Sequence, residues 1–495
     1  MSEEIPSSWV CASLGDVMDV QGGSQPPKSE FVYSPQDGYV RLLQIRDFGL
    51  KPVPTYVPDD RVTKFCETDD VLIARYGASL GRIVTGMKGA YNVALAKTIF
   101  DSRLLDKRYV FYILQTSILQ TPLKMISRSA QNGFARHEIA HVQLPIPPLN
   151  EQRRIVAKIE ELFSELDKGI ESLKTAKAQL EVYRQAVLKH AFEGKLTEAW
   201  RKKNADKLET ADQLLDRIQK ERESRYAEQL TEWKAAIKDW EANGKPGKKP
   251  SKPRQHKDPT PITSEDVSSF GAIPQCWKWV KLGSLVWSVK DGPHYSPKYS
   301  DTGIPFLSGG NIRPHGIDFE NVKFISPELH EELSVRCKPE VGDILYTKGG
   351  TTGIARVNTY EREFNVWVHV AVLKITQSLE PFYLQNALNG PDCYAQSQRY
   401  THGVGNQDLG LTRMVNIILP LCSMEEMAEI NRRIEVIESE YQRITDELAA
   451  SLQQSESLRQ SILKKAFSGQ LVPQDPNDEP ASVLLERIKA EKDAA

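Results

Sequence analysis

The sequence predicts an α+β protein: two globular domains of mixed α/β character, separated by two long helices that pair as an antiparallel coiled coil. The whole reads as an internal repeat with pseudo-two-fold symmetry. Three observations carry this. The decapeptide LKHAFEGKLT from Leu188 returns as LKKAFSGQLV from Leu463. An apolar stripe at helical spacing leads into each copy. A segment with strand-like texture precedes each stripe.

The repeat extends beyond the decapeptide. Ile5-Pro6-x-x-Trp9 with Leu14-Gly15 recurs as Ile273-Pro274-x-x-Trp277 with Leu282-Gly283, and DVLIARYG from Asp70 matches DILYTKGG from Asp343. ADQLLDRI from Ala211 has an echo in ASVLLERI from Ala481. Between these anchors the copies share almost nothing, so one frame surrounds two diverged interiors.

The helices follow from periodicity. Ile155, Ile159, Leu162, Leu166, Leu173, Leu180, Tyr183 and Val187 form one stripe, and Ile430, Ile434, Ile437, Tyr441, Leu448, Leu458 and Ile462 form the other in the same phase. Apolar residues every 3.5 positions specify a coiled-coil seam. Ser423 and Glu426 make a capping box for the second helix, and Asn150 is placed to cap the first. Two equal seams in one chain can satisfy each other, as in a two-fold dimer fused into one polypeptide. The pattern does not itself choose a direction. Antiparallel packing is the simpler solution, because it sets the second globular region at the far end of the first helix.

The remaining segments are read from texture. Residues 1–150 and 263–422 carry short runs such as VLIAR and VWVHVAVLKI between Gly, Pro, Asn and Asp, which reads as strands and turns. YVFYILQTSILQTPLKMI from Tyr109 reads as a helix on that sheet. Residues 151–197 and 423–495 hold the two long helices, the latter with a tail. Residues 198–262 form a connector, helical over 205–242, then NGKPGKKPSKPRQHK as a flexible, solvated basic linker, with phosphate contact as the alternative.

Composition sets limits. With 40% hydrophobic and 26% charged residues the chain is of ordinary globular type, and no run of about 18 apolar residues could cross a membrane. The start MSEEIPSSW lacks a signal pattern, and the six cysteines form no C-x-x-C pair, so a reduced, cytoplasmic protein without a metal site is expected. The net charge of −2 requires any nucleic-acid contact to rest on local patches.

Catalytic motifs are missing from the sequence. It has no P-loop, no G-x-G-x-x-G, no H-E-x-x-H and no Asn-Pro-Pro-aromatic tetrapeptide. Lys348-Gly349-Gly350-Thr351-Thr352-Gly353 reads as a turn between strands. No catalytic residue and no cofactor is therefore assigned to the chain.

Two variable heads on an internal dimer suit a reader of a two-part target. The loops before the long helices hold the side chains that discriminate base edges: Arg128, Gln131, Asn132, Arg136 and His137 in the first copy, Arg399, His402, Asn406 and Gln407 in the second. Lys28, with Lys290, His294 and Lys298, offers weaker candidates in the two Gly- and Pro-rich loops QGGSQPPKSEF and KDGPHYSPKYSD. The competing reading is a non-catalytic scaffold with two binding heads on a coiled-coil spacer.

LPIPPLNEQRRIV from Leu144, YRQAVLKHAFEGKLTEAW from Tyr183 and QSILKKAFSGQL from Gln460, with the IPxxW starts and the LLERIKAEKD end, resemble the specificity subunit of type I restriction-modification enzymes. The resemblance covers nearly the whole chain. It implies two target-recognition domains, each reading one half of a bipartite site in double-stranded DNA, and two conserved antiparallel helices that fix the gap. It also implies two modification subunits carrying S-adenosylmethionine for adenine methylation, and two restriction subunits using ATP and Mg. SMEEMAEI from Ser423 departs from the PPLNEQRRI form of the first copy. A partner contact through Gln152 has only Met427 as its counterpart.

Overall fold

A computed structural model of the chain describes residues 5–129, 133–255, 257–403 and 407–493, without the side chains of 127–129 and 492–493. Among the described residues no helix is long and apolar enough to cross a membrane.

The first head holds strands β1 (Val10–Ser13), β2 (Met18–Gly22), β3 (Tyr39–Leu43), β4 (Tyr56–Pro58), β5 (Phe65–Cys66), β6 (Leu72–Ala74), β7 (Ile83–Val84), β8 (Gly89–Tyr91), β9 (Leu95–Phe100) and β10 (Gln143–Ile146). Its helices are α1 (Leu14–Val17), α2 (Lys107–Ile113), α3 (Ser117–Ser129) and α4 (Arg136–Ile139). The single helix expected from Tyr109 is thus two. Thr116 separates them: its hydroxyl donates to Ile113 O at 2.6 Å and accepts from Ile118 N at 3.3 Å, drawing the backbone out of the helical ladder.

The long helix α5 (Leu149–Phe192) follows, then α6 (Glu198–Asn204) and α7 (Ala211–Ala242). The second head contributes β11 (Lys278–Lys281), β12 (Val286–Asp291), β13 (Ile304–Leu307), β14 (Ile312–Arg313), β15 (Gly316–Ile317), β16 (Lys323–Ile325), β17 (Ile344–Thr347), β18 (Ala355–Val357), β19 (Asn365–Val366), β20 (Val370–Ile375) and β21 (Ile418–Leu421). Helices α8 (Pro327–Arg336), α9 (Pro381–Asn389), α10 (Pro391–Tyr400) and α11 (Leu411–Met414) complete it, and α12 (Met424–Phe467) and α13 (Ala481–Asp493) end the chain.

The heads share a topology that their sequences hide. Sheet β2-β9-β6-β7 in the first corresponds to β12-β20-β17-β18 in the second, and β1-β10 corresponds to β11-β21. Parallel β3 and β8 correspond to parallel β13 and β19. Among the described residues the β14-β15 hairpin belongs to the second head alone.

Compactness cuts across chain order. One unit comprises residues 1–175 with 447–495, the other residues 176–446. In the first, Trp9, Tyr109, Ile146, Ile155 and Ile159 share a core with Leu463, Ala466 and Phe467. In the second, Trp277, Tyr383, Leu421, Ile430 and Ile434 share a core with Leu188, Ala191 and Phe192. Each head is therefore closed by the decapeptide of the other copy.

The closure is the same in both. Phe467 meets Tyr109 edge-on with ring centres 5.2 Å apart, and Phe192 meets Tyr383 at 5.5 Å. Gly469 (φ +75°) and Gly194 (φ +72°) end the two helices in the left-handed conformation, and a Cβ there would overlap the rings of Pro6 and Pro274. The bonds Gln470 N→Lys465 O and Lys195 N→His190 O, both 2.9 Å, complete Schellman turns.

Helix direction can be read within the second unit. Arg184 Nε donates to Glu438 Oε1 at 2.8 Å, and Tyr441 OH donates to Glu181 Oε2 at 2.6 Å. One number falls as the other rises, so the helices run antiparallel. In the first unit Arg459 pairs with Asp167 and lies 4.5 Å from the Phe163 ring centre.

Ile155, Ile159, Ile430, Ile434 and Ile462 are buried. Leu162, Leu166, Leu173, Leu180, Val187, Ile437, Tyr441 and Leu448 are half-buried. Tyr183 and Leu458, expected in the seam, are instead 59% and 50% exposed. The stripe slips by one residue at each, and Arg184 and Arg459 turn inward to carboxylates in their place.

Three further expectations are corrected. Helix α5 begins before Asn150, whose side chain goes to Asp478 at 3.3 Å rather than to a cap. Ser423 Oγ does accept from Glu426 N at 3.2 Å, but the Glu426 carboxylate turns to Trp277, Thr197 and Arg201 instead of reaching back. Gln152 is fully buried, accepting from Asp106 N at 2.8 Å and donating to Leu104 O and Pro147 O, so it has no surface to offer a partner.

Candidate nucleic-acid interface

The matched residues Asp70 and Asp343 stand just before strands β6 and β17, and the matched cations Arg75 and Lys348 stand just after them. Burial opposes ionisation of both carboxyls, with different outcomes. Lys107 and Lys97 overcome it at Asp70 and hold that carboxyl down at about 2. At Asp343 burial prevails over Lys374, and the carboxyl is raised. Each aspartate also accepts a backbone N–H three residues back, which fixes the turn entering the strand.

In the first head Arg75 stands where three loops meet. A Cβ on Gly22 would touch its guanidinium, and a Cβ on Gly133 would overlap its carbonyl oxygen and the Tyr76 ring. Arg75 N donates to Ala94 O at 2.8 Å, and Nη2 lies 3.5 Å from Phe134 O. The guanidinium sits 5.2 Å from the Tyr76 ring centre. Among the described residues it enters no ion pair, which leaves its donors available to an incoming acceptor.

In the second head Lys348 occupies the matching place with the opposite electrostatics. Its buried ammonium lies 2.9 Å from Asp408 and 3.4 Å from Asp291. Asp291 also takes Arg336 at 2.7 Å and His294 at 3.3 Å. Beside this network lies a cavity of about 580 Å³ lined by Ser308, Gly309, Gly310, Gly349, Gly350, Thr351, Trp367, His369 and Gln407. Among the described residues Trp367 Nε1 and His369 Nδ1, on two of the lining residues, are buried without a hydrogen-bond partner, and His369 Nδ1 lies 3.9 Å from Asp408. Gly349 admits no Cβ, since one would overlap His369 Nδ1.

The residues expected from sequence distribute as follows. Gln131, Asn132 and Asn406 lie outside the described residues, and Arg128 lies in α3 with its side chain outside them. Arg136 and His137 are exposed at the start of α4, with Arg136 paired to Asp19 at 2.9 Å. Arg399 is exposed with its guanidinium 5.2 Å from the Tyr400 ring centre. His402 is exposed and exchanges backbone hydrogen bonds with Asp408, while Gln407 lines the cavity. Lys28, Lys290, Lys298 and His294 are exposed; the lysines enter no ion pair among the described residues, and His294 turns to Asp291.

The loops before the long helices thus converge on the β6–β7 and β17–β18 turns. Arg75, Tyr76, Lys348, Trp367 and His369 were not foreseen as site residues. The signal for two of them lay in the matched octapeptides: a cation closes both strands at one position, and divergence begins there. Lys348–Gly353 is indeed a turn, and it also forms one wall of the cavity.

A family model described as the type I restriction modification DNA specificity domain matches residues 6–181. The specificity subunit of the Escherichia coli type I restriction enzyme EcoBI is 26% identical, with 99% of this chain and 94% of that protein aligned. The EcoKI specificity subunit of Escherichia coli K12 is 22% identical over 99% and 97%. A chain from a solved type I R-M system, studied for complex assembly and conformational transition, shares the fold at TM-score 0.64, with 18% identity over 94% of this chain and 99% of that one. The doubled heads, the reciprocal decapeptide closures and the antiparallel helices thus belong to a chain that is similar, along nearly its whole length, to type I restriction-modification specificity subunits.

Proposed function

We propose that the chain is the non-catalytic DNA reader of a cytoplasmic type I restriction-modification assembly, each head addressing one half of a bipartite site. Two modification subunits, holding S-adenosylmethionine, would methylate adenine at that site. Two restriction subunits, using ATP and Mg, would translocate and cut unmodified DNA. The paired helices act as the spacer that sets the gap and as the dock for the modification subunits.

The observation that carries this reading is one frame with two different inserts. The same strand order presents Arg75-Tyr76-Gly77 in one head and Lys348-Gly349-Gly350 in the other. An arginine free of carboxylates offers a bidentate fork suited to guanine O6 and N7 or to a phosphate. Lys348 and Arg336 together balance Asp291 and Asp408, so this network offers no net charge, and its neighbours Trp367, His369 and Gln407 supply donors and acceptors instead. Two half-sites of different sequence are what such heads would distinguish.

The test is co-expression with an adenine methyltransferase partner and methylation-sensitive sequencing of the host genome. A bipartite motif is expected, and exchanging residues 273–422 for those of another member should change one half only. Methylation without a motif would favour the two-headed scaffold.

A further inference from the structure

The connector is not the flexible linker its composition suggests. After α7 the chain reverses through Gly244 (φ +76°), Lys245 (φ +62°) and Gly247 (φ +66°) and runs back along the helix. Two indoles fasten it: Trp240 Nε1 donates to Pro246 O at 2.9 Å, and Trp233 Nε1 donates to Pro250 O at 3.1 Å. Nearer the head, Arg222 holds Asp258 at 2.5 Å, and Lys281 donates to Thr260 at 2.9 Å. Glu221 fixes the base of α7 by accepting from Gln377 N at 2.6 Å.

The returning strap has a period of three. Pro250, Pro253, Pro259 and Ile262 are half-buried, and the other described residues between them are exposed. That is the pattern of a polyproline II strand with one face on its support, because this helix repeats every three residues with a rise of ~3.1 Å. The two outward faces carry Lys248, Lys249, Lys252 and Lys257, all exposed, while Arg254, also exposed, borders a pocket shared with Arg222 and Tyr226 of α7. Among the described residues none of the four lysines enters an ion pair. The acidic residues Glu228, Glu232 and Asp239 fall off the Trp233–Ile237–Trp240 stripe that faces the strap, and Glu241 borders it.

We infer that this strap is a sequence-independent clamp for the DNA phosphate backbone. The inference rests on the DNA-reading function proposed above. Its chemistry favours phosphate over a protein partner. Lysine is depleted at protein interfaces, whose centres are apolar, and the outward faces of the strap present no large apolar side chain. Lysine ammoniums are compact, hydrated point charges suited to phosphate oxygens. The indole clamps hold the row extended before DNA arrives, so little ordering entropy remains to be lost on binding.

The experiment uses the full chain assembled with its modification subunits, on one duplex carrying the bipartite site and one scrambled duplex. Wild type is compared with K248Q/K249Q/K252Q/K257Q and with the four-arginine variant. Each phosphate neutralised contributes about 0.9 to the slope of log affinity against log salt. The glutamine variant should flatten that slope by about 2 to 4 on both duplexes, lose about tenfold or more in affinity at low salt, and leave the methylated motif unchanged. The arginine variant should keep the wild-type slope. An unchanged slope in an intact assembly overturns the inference. So does release of the modification subunits by the glutamine substitutions, which would make the strap a protein dock. A wild type that binds both duplexes equally would instead strike the reading function, while the scrambled-duplex slope still judges the strap.

Discussion

Glu151 and Glu426 hold matched places in the repeat and each accepts an indole N–H, from Trp9 at 3.0 Å and from Trp277 at 2.8 Å. Both carboxylates are 1% exposed. Their other partners differ, and the same substitution should therefore have opposite effects. Glu426 takes Arg201 Nη1 and Thr197 Oγ1 on Oε1, both at 2.6 Å, and the indole on Oε2. Every neighbour is a donor. Glu426→Gln would remove the charge opposing a guanidinium whose side chain is 14% exposed and turn an amide N–H₂ toward another donor. A charged hydrogen bond of ~1.5–3 kcal/mol is lost and one buried donor is orphaned, about 3–5 kcal/mol in all.

Glu151 has no cation within ion-pair distance among the described residues. Trp9 Nε1 and Gln474 Nε2 (2.6 Å) both reach Oε1. Burial pushes this carboxyl up against the pull of those two donors. A glutamine can place its oxygen at that point, keep both bonds and remove a buried charge. Glu151→Gln should therefore change stability by less than about 1 kcal/mol, in the stabilising direction. The sign follows from the raised folded pKa. Below the ordinary carboxylate range the group is protonated folded and unfolded, and the substitution gains nothing; above the folded pKa it is ionised in both states, and the full gain appears. Urea titration with pulsed hydrogen exchange resolves the two units by their own peptides. Equal losses in both units, or a loss at Glu151 that grows with pH, would refute the reasoning.

Ile159→Ala, at a fully buried position, should cost about 3 kcal/mol, Leu166→Ala about 1, and Tyr183→Ala and Leu458→Ala less than about 0.5, measured as urea midpoints. Asp70→Asn should cost unit 1 about 1–2 kcal/mol at pH 7, because its folded pKa of about 2 lies below the unfolded value. That loss should vanish as pH falls through the folded pKa, whereas Asp343→Asn, whose carboxyl is raised, should cost less, as thermal melts across pH would show. A fragment of residues 1–260 should form a homodimer that reads a palindrome of the first half-site; sedimentation of a folded monomer would contradict this.

What was legible in the sequence is what obeys a period. The heptad stripes gave two helices, and the matched anchors gave the doubled frame, because burial against a partner imposes spacing on apolar residues. The two misplaced seam residues sit where the period breaks for charge pairs, which hydrophobic counting does not weigh. The shared strand order of the heads was hidden, since β3 and β13, or β8 and β19, need only fit a pleated, half-buried surface, and many sequences do. The strap was misread for a related reason. Composition alone says proline and lysine, and only the indoles of Trp233 and Trp240, brought alongside by the chain reversal, turn a linker into a fixed element. The cations Arg75 and Lys348 gain meaning from loops far away in sequence, at Gly22 and Gly133 or at Asp291 and Asp408, which no local pattern connects.

The duplicated helix ending follows from the way the cores are shared. Helix α5 leaves the first head at Leu149 and ends at Phe192 in the core of the second head. Pro6, Trp9 and Tyr109 nonetheless present a surface that only a left-handed glycine and a phenylalanine at a helix end fill. The second copy supplies them from Ser468, Gly469 and Phe467, and the first copy returns the same group to Pro274 and Tyr383. The two long helices are thus a means of delivery: each starts by closing one core and ends by closing another. A substitution at Gly194 or Gly469 would therefore open a core that a segment of the other copy seals, whereas the interiors of the two heads already differ almost throughout.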